Sequence, residues 1–313
     1  MKIKSLFYSK KISSDKKNYA TVKIYYILCF PFLKTVTKDF EEKYYFFKFC
    51  VYKKTFYANL ADYLLKNIDR IVRKRVDSLF LNRVTFSKYK NINEGKNAIV
   101  LATGPSLKYF NNDIEGVVLG VNSAFKFFNK LDYLFLQDFS GMSGYIYDVP
   151  KIVPTTCKKF YGYVGVSSLS TNSLIPDTIA QQHQAERYYL DTSFSPVNEK
   201  DNSFALDLSY EPLKDYGSVI FPAMQFLLYT RPKKIYLVGC DCSEGHFDGT
   251  RIDNQNGSMR HIIKGWSLLK DFVKHYYPDI EIISVNPVGL KGMFKDIYTD
   301  SFKGSPIYHK ADL

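Results

Sequence analysis

Two short stretches of this chain carry most of the side chains that could do chemistry. Thr103-Gly104-Pro105-Ser106 follows directly on the apolar run "NAIVLA" and sets a hydroxyl on either side of Gly-Pro. A glycine lets backbone and ligand approach closely. A proline suits the first turn of a helix, and Ser106 can cap that helix or donate to a phosphate. Free N–H groups at a helix start attract anions, so the stretch has the make-up of a nucleotide-phosphate turn. It lacks the lysine of a Walker A loop and the extra glycines of a dinucleotide fingerprint; an ordinary strand-to-helix turn uses the same letters. The second stretch, "CDCSEGHF", brings Cys240, Asp241, Cys242 and His246 within seven residues. Its C-x-C-x3-H spacing lacks the second ligand pair of a structural zinc site. Asp241 with Asp138 has the chemistry to hold Mg²⁺ on a diphosphate, and a turn carboxylate is the plainer reading.

The elements around these stretches say how they come together. "NAIVLA" (97–102), "GVVLGVN" (116–122), "LDYLFLQD" (131–138), "KKIYLVGCD" (233–241) and "IEIISVNP" (280–287) read as strands. "SVIFPAMQFLLYT" (218–230) reads as a helix with Pro222 in its first turns, and 258–277 as an amphipathic helix stopped by Pro278. Strands alternating with helices predict a mostly parallel sheet covered on both faces. Right-handed crossovers place every strand's carboxyl end on one side, where ligands of such sheets bind. The residues expected there are Thr103 to Ser106, Asn122 and Ser123, Gln137 and Asp138, Gly239 to Asp241, and Asn286. The polar stretch of about 140–215 has weak periodicity and is expected to supply a lid or an acceptor site.

The 313 residues suffice for one large domain with an appendage. The apolar fraction of 46% is ordinary, whereas 26 Tyr and 25 Phe against one Trp make the chain rich in aromatics. A formal net charge of +12 favours anionic partners: nucleic acid, an acidic membrane face or phosphorylated small molecules. No RRM, KH or helix-turn-helix pattern accompanies the charge, so nucleic acid is not expected. Five scattered cysteines predict a reducing compartment. No run approaches the ~18 apolar residues of a membrane span, and the first seventeen residues have no apolar core of a secretory signal. The expected location is therefore cytoplasmic. Residues 1–90 read as a basic, aromatic appendage. Its runs 25–34 and 44–54 are expected to form a hairpin, and 57–80 carries helical spacing with Arg70, Arg73, Lys74 and Arg75 near its end. Aromatic rings at headgroup level with lysines on anionic lipid would make residues 1–80 a membrane-surface platform. Residues 91–313 form the main domain.

The order "ATGPSL", "GVNSAF", "YGSVIFPAMQFLL", "KKIYLVGCD" resembles the bacterial sialyltransferases of glycosyltransferase family 42. It is also similar to the related motility-associated flagellin glycosyltransferases and archaeal hydroxymethylpterin diphosphokinase-like proteins. The resemblance covers about residues 97 to 290. It implies a GT-A-like, Rossmann-like variant that uses a CMP-activated nonulosonic acid without a metal cofactor. Carried over by position, Thr103, Gly104, Pro105 and Ser106 would cradle the nucleotide phosphate and ribose, and Asn122 would contact the nucleotide. Gly217 and Ser218 would lie against the donor, and Gly239 and Asp241 would shape its cytidine or ribose end. Thr103 stands where the sialyltransferases have Asn, "GSV" replaces "SGV", and Cys242 takes the place of a Tyr.

Inverting transfer needs a general base, and histidine suits it. Among five histidines, His183 and His275 read as surface positions and His309 lies in the tail. His261, which opens the helix before the last strand as the family's base does, is the first candidate; His246 is the second. Tyr216 is the candidate to steady the departing phosphate. The expected activity is inverting sugar transfer from a CMP donor to a surface glycan or lipid-linked acceptor at the inner membrane. The alternative is an ATP- and Mg²⁺-dependent diphosphokinase.

Overall fold

The structure is a computed structural model that describes residues 7–15, 20–27, 30–38, 41–46, 49–55, 80–111, 113–137, 143–163, 175–191, 204–243, 245–249 and 256–311. The chain divides into two units, Met1–Arg73 and Lys74–Leu313. The helical spacing at 57–80 falls almost wholly outside the described residues.

The first unit is an antiparallel meander of five strands: β1 (Phe7–Asp15), β2 (Ala20–Ile27), β3 (Phe30–Lys38), β4 (Glu41–Phe46) and β5 (Phe49–Thr55). The expected hairpin is part of it, since Leu33 pairs with Phe46 and Lys34 with Tyr45. Each aromatic run, however, spans two strands. The register also sets Phe46 opposite Phe49 and Lys43 opposite Lys53.

The second unit has the expected α/β, Rossmann-like architecture. Its strands are β6 (Asn97–Leu101), β7 (Val117–Val121), β8 (Tyr133–Leu136), β9 (Lys158–Tyr163), β10 (Glu186–Asp191), β11 (Leu213–Lys214), β12 (Lys234–Val238), β13 (Glu281–Val285) and β14 (Lys295–Ile297). They form one sheet in the order β11-β10-β9-β8-β7-β6-β12-β13-β14, with every pair parallel. Helices α1 (Ser143–Ile146), α2 (Val149–Ile152) and α3 (Asp177–Gln182) precede β11; α4 (Ile220–Thr230) and α5 (Asn256–Tyr276) follow it; α6 (Asp300–Lys303) and α7 (Pro306–Ala311) come after β14.

Burial on both faces explains why the central strands read as continuous apolar runs. Ala98 and Val100 pack into one core, and Ile99 and Leu101 into the other. The first core is aromatic: Phe135 stacks on Phe160 with centroids 4.7 Å apart, and Phe226 of α4 meets Tyr133 at 4.9 Å. Phe86 and Tyr89 complete it. All eleven residues of α4 are buried. Helix α5 lies close against α4 because Gly265 has no side chain; a Cβ there would sit 2.6 Å from Phe221 Cζ.

From β6 the chain moves stepwise through β7 and β8 to the edge at β11. It then returns by way of α4 to place β12 on the other side of β6. The connections leaving β6 and β12 thus run in opposite directions, which opens a crevice beyond their carboxyl ends. The stretch 140–215, read as a lid or acceptor region, supplies β9, β10 and β11 of the sheet itself.

Candidate functional site

The cleft lies at that switch point and encloses about 160 Å³. One wall is polar and comes from the ends of β6, β7 and β12: Thr103, Gly104, Asn122, Asp241, Ser243 and His246. The apolar part of the lining comes from the helices: Ile220 of α4 and Met259, Ile262 and Trp266 of α5. Gly239, Cys240 and Cys242, which follow β12, also line it, as does Ser218 just before α4.

The turn after β6 is not built as the sequence suggests. Pro105 begins a five-residue 3-10 turn, Pro105–Tyr109, instead of an α-helix. Ser106 is fully buried. Its N–H donates to Asp241 Oδ2 at 2.6 Å, and its hydroxyl donates to Asp241 Oδ1. The donors expected to cradle a phosphate are therefore taken by the Asp241 carboxylate. Of Thr103 to Ser106, Thr103 and Gly104 line the cleft; Pro105 and Ser106 do not. Burial pushes the Asp241 carboxyl up to about 6, against the pull of the Ser106 hydrogen bonds.

Gly104 is needed for contact within the protein. A Cβ on it would lie 2.5 Å from the Gly239 carbonyl oxygen and 2.6 Å from Asp241 Oδ2. Gly239 has φ +68°, and its own Cβ would meet the Ala102 carbonyl oxygen at 2.7 Å. Gly289 interlocks the same way, with a Cβ falling 2.7 Å from the Cys242 carbonyl oxygen. Three bare backbones thus let two strand-end loops and the segment after β13 close on one another. Asn286, the expected end of the last strand, turns away to this purpose: its side chain bonds Thr299, and Thr299 Oγ1 donates to the Tyr109 carbonyl.

Asn122 lines the cleft in a left-handed conformation, φ +50°; Ser123 follows it into a 3-10 turn and does not. Gln137 is 5% exposed and donates from Nε2 to Asp215 Oδ2 at 2.7 Å. Its Oε1 is buried with no partner among the described residues. Asp138 lies outside the described residues. Asp215, which no local pattern in the chain singles out, organises the next turn: its carbonyl accepts from Ser218 N–H at 2.7 Å. Gly217 there has φ +77°. Ser218 reaches the cleft, whereas Tyr216 packs its ring against Phe204 at 4.8 Å and Phe221 at 5.5 Å. Tyr216 is 5% exposed, a core residue placed away from the cleft lining.

The two candidate bases separate. His246 is in the cleft wall, with Nδ1 2.9 Å from Thr103 Oγ1. His261 is not in the lining; it sits beside Gly217, with its ring centroid 6.5 Å from that of Tyr216. His183, read as a surface residue, is 7% exposed and bonds the Tyr161 hydroxyl at 2.8 Å through Nδ1.

No protein-family model and no curated protein matches this chain. The chemistry then rests on the cleft itself. Burial pushes the Cys242 thiol up to about 12 and the Cys240 thiol well above its ordinary value, so both stay protonated and weakly nucleophilic. Among the described residues no three His, Cys, Asp or Glu side chains group as a metal site. The arrangement offers hydrogen-bonding groups and one imidazole together with an apolar lining that includes an indole. The apolar wall had a signal in the sequence, the periodic Ile262 and Trp266 of the 258–277 helix, but that spacing equally describes a core face.

Proposed function

We propose that the protein is a glycosyltransferase that moves a nonulosonic-type sugar from a CMP donor to a hydroxyl acceptor with inversion. The observation that carries this reading is the pairing, at the β6/β12 switch point, of a polar wall holding His246 with an apolar wall holding Trp266. A nucleotide sugar has that division, with hydroxyls and phosphate on one side and flat or aliphatic faces on the other. His246 takes the proton of the acceptor hydroxyl as it attacks the anomeric carbon, while Asn122 and Ser218 hydrogen-bond the donor. Ile220, Met259 and Ile262 keep water from the reacting carbon. His246 replaces His261 as the first choice of base because it is the one in the lining. Asp241, with both oxygens engaged by Ser106, shapes the wall and is poorly placed to serve as a Mg²⁺ ligand.

The acceptor is a surface glycan or lipid-linked sugar, and the five-stranded sheet of the first unit seats the enzyme on an anionic membrane face. Phe46 and Phe49, paired across β4 and β5, are 48% and 78% exposed. Lys43 and Lys53 stand opposite one another in the register, and lysines near a membrane face are attracted by anionic lipid. Among the described residues no helix is long and apolar enough to cross a membrane.

A thermal-shift screen of nucleotides tests the donor class. CMP or CDP at a hundredfold excess over Kd stabilises by about 2.7 kcal/mol and raises Tm, while UDP, GDP and ATP do not. A preference for UDP or GDP overturns the CMP assignment. Transfer that survives EDTA separates this reading from a diphosphokinase.

A further inference from the structure

Thr103 and His246 are fastened together twice. The Phe247 N–H donates to the Thr103 carbonyl at 2.8 Å, and His246 Nδ1 lies 2.9 Å from Thr103 Oγ1. Phe247 is buried and edge-on to Phe127, with centroids 6.0 Å apart, so the main chain beside His246 is anchored in the core. What remains free is the turning of the imidazole about its own side-chain bonds, and the Thr103 hydroxyl restrains that. Both residues line the cleft. Among the described residues His246 is the one hydrogen-bond partner of the Thr103 hydroxyl.

We propose that Thr103 is the positioning residue of His246, selecting the tautomer whose Nδ1–H donates to Thr103 Oγ1 and whose Nε2 is left as the proton acceptor. This rests on the reading of His246 as the base. A neutral imidazole carries one N–H, and a hydroxyl can either accept from it or donate to the bare nitrogen; a base that acts through Nε2 keeps its proton on Nδ1, so Thr103 Oγ1 is the acceptor in this pair. In transfer, the acceptor oxygen bonds to the anomeric carbon as the bond from that carbon to the donor phosphate oxygen breaks. The electron pair leaves with CMP. The acceptor's proton ends on Nε2, and the imidazolium keeps its Nδ1–H on Thr103. A carboxylate in this place would orient the ring as firmly, but it would set a negative charge beside an anionic donor. A hydroxyl orients the ring without that charge, which gives a physical reason for threonine at the end of β6.

The test is the ¹⁵N signature of His246 in the full chain, compared between wild type, Thr103→Val and Thr103→Ser. The wild type and the serine variant should show a protonated Nδ1 in the neutral ring. The valine variant should shift towards the Nε2–H form. A wild type already in the Nε2–H form, or a valine variant with an unchanged signature, overturns the proposal. In turnover, Thr103→Val should lower kcat about tenfold with donor KM nearly constant, the loss of one hydrogen bond, and Thr103→Ser should restore most of it. The tautomer signature is read without any substrate. A protein with the expected signature that transfers no sugar would therefore sink the transferase reading and leave the Thr103–His246 pair standing.

Discussion

Asp241 grips Ser106 across the switch point, one carboxylate oxygen accepting the Ser106 N–H at 2.6 Å and the other its hydroxyl. The two residues are far apart in sequence, and this clasp fixes the first turn of the polar wall to the end of β12. Its electrostatics give a prediction about pH. The carboxyl is raised from an ordinary 3.8 to about 6 by burial, so the folded state binds this proton more tightly than the unfolded chain does. Below an ordinary 3.8 both states are protonated and the group costs nothing; above about 6 the full cost applies. At ~1.36 kcal/mol per pH unit, that cost is about 3 kcal/mol. Stability from this residue is thus lost as pH rises between the two values. Urea unfolding of wild type and Asp241→Asn at pH 4 and pH 7 should show the difference moving by up to about 3 kcal/mol in favour of the asparagine variant at the higher pH. An unchanged difference would mean the carboxyl does not titrate in that window.

The glycines of the site divide into two kinds, and alanine should separate them. Gly104→Ala drives a Cβ into the Gly239 carbonyl and the Asp241 carboxylate, backbone and a clasped side chain that cannot step aside. A loss of about 2–3 kcal/mol is expected, together with loss of nucleotide binding. Gly217 has a positive φ but open space, with His261 Cδ2 3.7 Å away as its nearest contact. Gly217→Ala should cost only about 1 kcal/mol. Chemical denaturation of both variants checks the order; equal losses would contradict the interlock at Gly104.

Removing the two histidines should have unequal effects. His246→Ala is expected to lower kcat by about 10²–10⁴-fold, the span of general acid–base catalysis, with CMP binding retained. His261→Ala, beside Tyr216 and outside the cleft lining, should cost less than about tenfold. Steady-state kinetics with calorimetric binding of CMP measures both. The reverse order would return the base to α5 and to the position the family resemblance implies.

The first unit gives a membrane prediction. Phe49→Ser should weaken binding to anionic vesicles through loss of an exposed ring. Lys43→Glu with Lys53→Glu should weaken it further and make it less salt-dependent, at ~1 kcal/mol for each lysine near the surface. Co-sedimentation with anionic and with neutral vesicles is the measurement. Equal binding to the two vesicle types would remove the electrostatic part of the reading.

Much of the fold could be read from the chain because its central strands are buried on both faces and therefore spelled in unbroken apolar letters, as in "NAIVL" and "YLFL". The outer strands β9 and β10 escaped for the opposite reason. Their core residues include Tyr161 and Tyr188, both fully buried, and β9 also buries Lys159. These residue types blur an apolar pattern although their rings or stems fill the core. The strand ends pointed to the site, but the strand order, which makes β6 and β12 neighbours, is a long-range fact that no local pattern carries. The engagement of Ser106 is hidden in the sequence on the same account. Its hydroxyl has the chemistry of a phosphate donor, and only the partner brought to it by β12 shows that it is already engaged. Tyr216 likewise stands next to a site residue in sequence while its ring belongs to the core.

The interlocked glycines also make the two walls unequal in what they can tolerate. Gly104 and Gly239, with Gly289 packed against the loop after β12, leave the polar wall no slack, so ligands of different bulk must be accommodated among the apolar residues, where Met259 is unbranched, Ile262 is half-buried and Ile220, though buried, opens a helix. On the proposed transferase reading, changes in donor preference arise on α4 and α5 while the hydrogen-bonding wall stays as it is. A library confined to Ile220, Met259 and Ile262, screened against nucleotide sugars, would put that consequence of the proposed function to work.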